Sequence, residues 1–216
     1  DLFRQVSLQY VRTREIPEID AIRFAEIYAA ATRDDSLATV LEEDLSASSK
    51  PLALIDAAEK TLNEQEVPEE GRILFCTNDF YALLKSDESI SRRMDVGSNT
   101  GKLDRRIWLL DDRTAVIRVP QARFYTKIQL NDGKTESQTA GGYAPIASTT
   151  KNINFIYASR EALKGVMKRH VSKIVMPEQN QSADAYDVFY RAHHDLVVFD
   201  NDTAGIYVHT RKTART

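Results

Sequence analysis

The sequence predicts an α+β fold, and three observations carry that prediction. Two proline-headed stretches repeat their apolar residues at helical spacing: Phe24, Ile27, Tyr28 and Ala31 in one, Leu54, Ile55, Ala58 and Leu62 in the other. Short runs rich in β-branched and aromatic residues, among them RILFCT, AVIRVP and NINFIYAS, are bounded by polar turns. No internal repeat is present, so these pieces do not read as a solenoid.

Taken in order, the chain opens DLFRQVSLQYVRTRE, already amphipathic through Leu2, Val6 and Tyr10 with Phe3 beside them, and without a methionine. It reads as a chain cut into rather than begun. Pro17, Glu18 and Asp20 then mark a helix start, with proline in the first turn and acids at the positive end of the helix dipole. Residues 33–50, RDDSLATVLEEDLSASSK, read as a loop with a short helix. Ser49 and Pro51 open a second helix of about four turns. Its polar side carries Glu59, Lys60, Asn63 and Glu64, and VPEEG ends it. RILFCT is a buried strand, and Asn78 caps a helix bearing Phe80, Tyr81, Leu83 and Leu84, which makes a strand-to-helix unit over 72–86.

After the polar stretch GSNTGKLDRR, IWLL and AVIRVP form short strands around the turn DDRT, and Pro120 stops the second. FYTKIQL resumes strand character, and residues 131–150 are expected to be an exposed, mobile loop. NINFIYAS is another strand, after which Ser159 caps a helix with Leu163, Val166, Met167 and His170 in one stripe. SKIVMP, a long strand through 188–199, the turn DNDTAG and the strand GIYVHT close the chain.

Composition narrows the function. With 216 residues, 42% of them hydrophobic and 28% charged, the chain can bury a core of its own. Its 29 basic and 32 acidic residues leave a net charge of −3, which is no polyanion-binding signature for the whole molecule. The single cysteine, Cys76, lies inside RILFCT; it excludes a disulfide framework and reads as a buried, inert thiol. No apolar run reaches the ~18–20 residues of a membrane helix, and no signal peptide precedes the first structured segment, so a soluble, intracellular protein is expected.

The strongest hint of chemistry is His193-His194-Asp195. In a strand, neighbouring side chains point to opposite faces, so His193 shares a face with Arg191 and Asp195, and His194 lies with Tyr190, Ala192, Leu196 and Val198. The two imidazoles then cannot grip one metal, and a His193/Asp195 pair without a third ligand or a nucleophile reads as a structural hydrogen bond. His194 is expected to be substantially buried beside Tyr190 or Leu196. The histidines at 170, 193, 194 and 209 never fall at i, i+4 spacing, and GxGxxG, GxxxxGK[ST], HExxH, CxxC and GxSxG are absent. No catalytic, cofactor-binding or metal residue is therefore expected. An intracellular hydrolase using His193 and Asp195 is the rival reading. The basic residues Arg160, Lys164, Lys168, Arg169 and Lys173, with Arg211, Lys212 and Arg215 at the tail, read as the solvated face of the 159–170 helix rather than as a nucleic-acid contact.

Several blocks, in order, resemble the major capsid proteins of tailed bacteriophages: VRTREIPEIDAIRFAEIYA (11–29), VPEEGRILFCTNDFYALLK (67–85), AVIRVPQARFYT (115–126), INFIYASREAL (153–163), MPEQNQSADAYDVFYRAHHD (176–195) and VVFDNDTAGIYVHT (197–210). The resemblance covers nearly the whole chain and lies in structural residues, with no catalytic fingerprint. It implies the Hong Kong-type capsid fold, with a peripheral domain of a long spine helix plus β-strands and an axial α/β domain. Residues 1–66 would hold the N-terminal helices and the spine helix, at 50–65; residues 67–175 would be the axial domain; residues 176–216, with a closing hairpin at 197–210, would return to the peripheral domain.

The resemblance further implies a structural virion protein of a phage or prophage, a coat protein that self-assembles into pentamers and hexamers forming an icosahedral head. It would be assembled in the bacterial host cytoplasm. Portal and scaffold or protease proteins would be its partners, packaged DNA would be contacted non-specifically at most, and no membrane or cofactor is implied. A cellular nanocompartment shell of the same fold is the alternative. The N-terminal arm and extended loop typical of the family are missing here, so no crosslinking residue is carried over, and the 216 residues are expected to fold but to stay monomeric or form small oligomers.

Overall fold

The computed structural model describes residues 2–46, 49–87, 109–110 and 113–214. GSNTGKLDRR lies outside them, as do Ile107 and Trp108 of IWLL. Leu2–Tyr10 (α1), a π-helical turn Val11–Glu15 and Ile16–Ala31 (α2) form one unbroken helical rod. Pro17 does not begin a helix, because Glu15 and Ile16 ahead of it already hold right-handed helical dihedrals. Proline has no N–H to donate to the carbonyl of Thr13, and the wider turn ahead of it, in which the Ile16 N–H reaches back to the Val11 carbonyl, absorbs the mismatch. At 1.5 Å per residue the rod is on the order of 45 Å long. In α2, Ala21, Phe24, Ile27, Ala30 and Ala31 are buried, and Tyr28 is half-buried.

The segment expected as a loop with a short helix instead carries strand β1 (Thr39–Glu42). A strand needs a partner, and the one β1 finds is β10 (Ile206–Thr210) at the far end of the chain, paired in parallel. The second helix, α3 (Pro51–Glu64), stands where its pattern placed it and buries Pro51, Ile55, Ala58 and Leu62. Ser49 does not cap it; the Ser49 hydroxyl accepts the Ser46 N–H at 2.9 Å. Strand β2 (Arg72–Thr77) leads into α4 (Asn78–Ser86), where the cap is Thr77 rather than Asn78, its Oγ1 accepting the Phe80 N–H at 3.2 Å.

Strands β3 (Leu109–Leu110) and β4 (Thr114–Val119) pair antiparallel as expected. Beyond Pro120, only Ile128–Leu130 of FYTKIQL is a strand, β5, which pairs with β6 (Tyr143–Pro145). The segment expected as one loop thus holds a strand, and its largely exposed parts are the connection over 131–142 and residues 146–149. That connection turns through Gly133, Gly141 and Gly142, at φ of 71°, 64° and 73°, which a side chain rarely tolerates.

Every residue of β7 (Ile153–Ser159) is buried, because it runs through the middle of the main sheet, whose order is β1-β10-β7-β2-β4-β3. Its side chains alternate between two cores. Ile156 and Ala158 join Phe24, Ile27 and Phe124 under α2, whereas Phe155 and Tyr157 join Ile55, Leu62, Phe80 and Leu84 under α3 and α4. A sheet covered by helices on both faces explains why these strands read as continuous apolar runs.

Three sequence expectations fail in the last third of the chain. Ser159 caps only the short 3₁₀ turn Arg160–Ala162, and where a helix was expected to carry Leu163, Val166, Met167 and His170 a strand follows, β8 (Lys164–Val175), which takes in the SKIV of SKIVMP. It pairs antiparallel with β9 (Asp187–Val197) through eleven residue pairs, with a bulge between Met167 and Arg169. Val166, Val171, Ile174 and Val175 suit a pleated surface, and the long partner strand outweighs a stripe of only four residues. The closing hairpin at 197–210 is not formed: the 3₁₀ segment Asp200–Gly205 carries the chain from β9 in the ribbon to β10 in the main sheet.

Neither expected boundary separates packed units. That at 66/67 falls between α3 and β2, which share a core, and that at 175/176 falls between β8 and β9, which pair with each other. Strand β10 belongs to the same sheet as β2. Among the described residues no helix is long and apolar enough to cross a membrane.

Candidate functional site

The β8–β9 ribbon lies against the rod and carries His193, His194 and Asp195. Strand parity holds: His194 is half-buried with Tyr190, Ala192 and Leu196, while His193, Arg191 and Asp195 are exposed on the other face. His194 is thus less buried than expected. Its pKa is lowered by what burial there is and, secondarily, by the Arg23 guanidinium. The His193–Asp195 hydrogen bond expected from sequence is not the one made; Asp195 Oδ1 accepts the Leu196 N–H at 2.8 Å.

Between rod and ribbon runs a polar seam. His170 Nε2 stands 3.5 Å from Glu15 Oε1 and its ring meets Tyr190 edge-on at 4.9 Å, while Tyr10 approaches Tyr190 at 6.5 Å. Burial holds the Glu15 carboxyl above the usual carboxylate range; His170 opposes that rise and Glu18 adds to it. Glu26 is raised in the same way, first by burial and then by the charge of Asp195. Buried atoms left without a partner concentrate here: Glu15 Oε2, Arg23 Nε, Glu26 Oε2, Tyr190 Oη and His194 Nδ1. What joins the ribbon to the rod here is the His170–Glu15 pair and the ring contacts of Tyr190. His170, expected in the stripe of a helix, instead makes a cross-element pair that only the strand pairing creates.

Two groups with chemical potential lie deep in the core instead. Cys76 is fully buried, and burial pushes its thiol up to about 12, with the Arg118 charge opposing. His209 is fully buried on β10. A neutral imidazole and a protonated thiol closed off from solvent have no route to a substrate. Among the described residues no group of three His, Cys, Asp or Glu side chains is placed to hold a metal ion.

The outward face of the ribbon is the other distinctive surface. Cross-strand pairs Lys164/Val197, Val166/Asp195, Arg169/His193, Val171/Arg191 and Lys173/Phe189 share it. The basic residues expected on a solvated helix face therefore sit on a sheet, with Lys168 in the bulge, Arg160 in the preceding 3₁₀ turn and Lys164 Nζ 4.5 Å over the Phe199 ring. Lys212 follows β10, and its N–H donates to Asp44 Oδ1 at 3.2 Å; Arg215 lies outside the described residues. Phe189 is 58% exposed, Val166 47% and Val171 41%, more apolar surface than a solvated face needs. The sequence signal for it is the alternation of charged and β-branched residues at every second position from Lys164 on, in a stretch whose residues 159–170 read as a helix from sequence alone.

No protein-family model matches the chain, and no curated protein is similar to it in sequence. Solved structures are similar in fold. A cyanophage P-SCSP1u capsid structure matches 98% of this chain at 14% identity with a TM-score of 0.62. The asymmetric unit of the bacteriophage PhiM1 mature capsid matches 98% at 12% identity with a TM-score of 0.56. A structure from Mycobacterium phage Che8 matches 89% at 14% identity with a TM-score of 0.51. This chain spans 66%, 65% and 58% of those chains, less than two thirds of each. The α+β arrangement described above is thus a fold shared with phage capsid structures.

Proposed function

We propose that this chain is the shell-forming part of a phage major capsid protein. In that role it is a structural component of the virion that self-associates into pentamers and hexamers tiling an icosahedral container for DNA. The observation that carries the proposal is the likeness to the cyanophage P-SCSP1u capsid structure over 98% of the chain. Two features of the molecule support it. Cys76 and His209 are buried, His193 faces away from His170 and His194, and among the described residues no three His, Cys, Asp or Glu side chains are placed to hold a metal ion. The surface instead offers an exposed ribbon suited to contact with another protein.

The work of such a protein is geometric. A near-neutral, charge-rich surface supports many modest contacts, each reversible, whose number gives the lattice its strength. The division of labour expected from the resemblance is reassigned on packing grounds. The long spine helix with its β-strands corresponds to the α1–α2 rod with the β8–β9 ribbon, and the axial α/β domain to the six-stranded sheet with α3 and α4. Portal, scaffold or protease partners, non-specific contact with DNA and assembly in the host cytoplasm belong to the same proposal.

Negative-stain electron microscopy and light scattering of the concentrated protein test it. Five- or six-fold rosettes, which are small oligomers of the size expected from sequence, are the expected result at high concentration, with the monomer prevailing only in dilute solution. A strictly monomeric species at every concentration up to the millimolar range overturns the reading.

A further inference from the structure

The β8–β9 ribbon is long, and among the described residues no third strand pairs with either of its outer edges. In an antiparallel pair every second residue of each strand turns its N–H and C=O away from the partner, so both edges present a row of open hydrogen-bonding groups. Soluble proteins usually blunt such edges by covering them, shortening them or placing proline in them. The rod lies against one face of this ribbon and reaches the end of β9 through Glu26, whose carboxylate meets the Leu196 N–H that Asp195 Oδ1 also takes; no proline interrupts Lys164–Val175 or Asp187–Val197.

Charge decides what the edges can accept. β8 carries Lys164, Lys168, Arg169 and Lys173 and no acid, whereas β9 carries Asp187 and Asp195 against one base, Arg191. Two β8 edges brought together from two copies set four cations against four, and like charges on adjacent strands are destabilising. A β8 edge against a β9 edge sets cations against carboxylates.

We infer that a second copy of this chain docks on the ribbon by edge pairing, its β9 adding to the open edge of β8. The inference rests on the self-association reading and deepens it by naming the surface. Pairing of this sort continues the antiparallel alternation of the ribbon. In the register the ribbon uses internally, Lys164 and Lys168 come within two residues of the position facing Asp195 of the second copy, and Lys173 within two of that facing Asp187. The contact is heterologous: each copy gives one edge and receives at the other. Such contacts close into rings or run on as a lattice, and do not stop at a two-fold dimer. Exposed Val166, Val171 and Phe189 then extend across copies as one continuous strip.

Charge reversal tests this on the whole chain. Three variants are compared with the parent by sedimentation velocity over a concentration series: β8 reversed (Lys168→Glu, Arg169→Glu, Lys173→Glu), β9 reversed (Asp187→Lys, Asp195→Lys), and both together. Each single reversal is expected to raise the concentration needed for association at least tenfold, and the combined variant, or a mixture of the two single variants, to restore it. Recovery in the combined variant also shows that the substituted chains fold. Hydrogen exchange reads the backbone directly: alternate amides of β8 and β9 should slow at least tenfold on association. Equal association of all variants, or unchanged exchange, overturns edge pairing while leaving self-assembly standing. A parent protein that never associates overturns both.

Discussion

The imidazole of His209 stacks on the ring of Phe155, with centroids 4.9 Å apart and planes inclined by 26°. The Asn154 amide donates to its Nδ1 at 3.1 Å, an assignment that leaves the ring proton on Nε2, where no partner stands. The ring is fully enclosed, and burial depresses its pKa to about 4 from an ordinary 6.5.

Folded protein therefore binds this proton less readily than unfolded chain. The stability involved is complete above pH 6.5 and drains away as pH falls through the window down to about 4, by on the order of 3 kcal/mol. Thermal melts recorded from pH 7 to 4 should show this loss, and His209→Gln, which keeps a hydrogen-bonding side chain without a titrating one, should flatten that part of the profile. Identical pH profiles for parent and variant count against the assignment.

Arg72 is a buried cation with no carboxylate paired to it among the described residues. Its Nε donates to the Pro68 carbonyl at 2.9 Å, and one Nη donates to Asn63 Oδ1 at 2.7 Å and to the Val67 carbonyl, so it pins the turn between α3 and β2. Arg72→Ala should cost about 3 kcal/mol or more, since hydrogen bonds to a charged donor are worth roughly 1.5–3 kcal/mol each. Arg72→Lys should recover only part of this, because an ammonium lacks the planar fork. Urea denaturation midpoints measure both.

Gly205 closes the 3₁₀ segment ahead of β10. A Cβ there falls 3.2 Å from the Ser159 Cβ and 3.3 Å from the Ala162 Cβ, both on the strand-to-turn corner it packs against. Gly205→Ala should destabilise by roughly 1–3 kcal/mol through overpacking. At Gly165 the nearest atoms belong to the Arg23 guanidinium at 3.5 Å, an ordinary contact, and Gly165→Ala should shift stability by less than about 0.5 kcal/mol. Calorimetry of the two variants side by side separates the cases.

Cys76 should be silent toward thiol reagents at pH 8 in the native protein, since its thiol, raised to about 12, is both protonated and enclosed. Labelling with a chromogenic disulfide should follow global unfolding, with stoichiometric reaction only in denaturant. Prompt reaction of the native protein would contradict its placement on β2.

Some of this molecule follows from local chemistry alone. The apolar spacing of 17–31 and 51–64 determined α2 and α3, and the β-branched, aromatic content of RILFCT and NINFIYAS determined β2 and β7. Alternation along β9 was enough to part His193 from His194 onto opposite faces. Those properties depend on neighbours within a few residues, where propensity and pattern act together. Tertiary structure decided the rest. Whether 164–175 coils or extends depends on β9, because a stripe of four apolar residues fits either period until a partner strand settles it. Thr39–Glu42 is a strand because β10 lies beside it, and His209 is neutral because that same strand is sandwiched between two helical layers. The ends of β9 and β10 are near in sequence yet belong to different sheets, since each pairs with the long-range partner that buries more of it. Pairing energies of this kind come from residues far apart along the chain, and no local pattern records them.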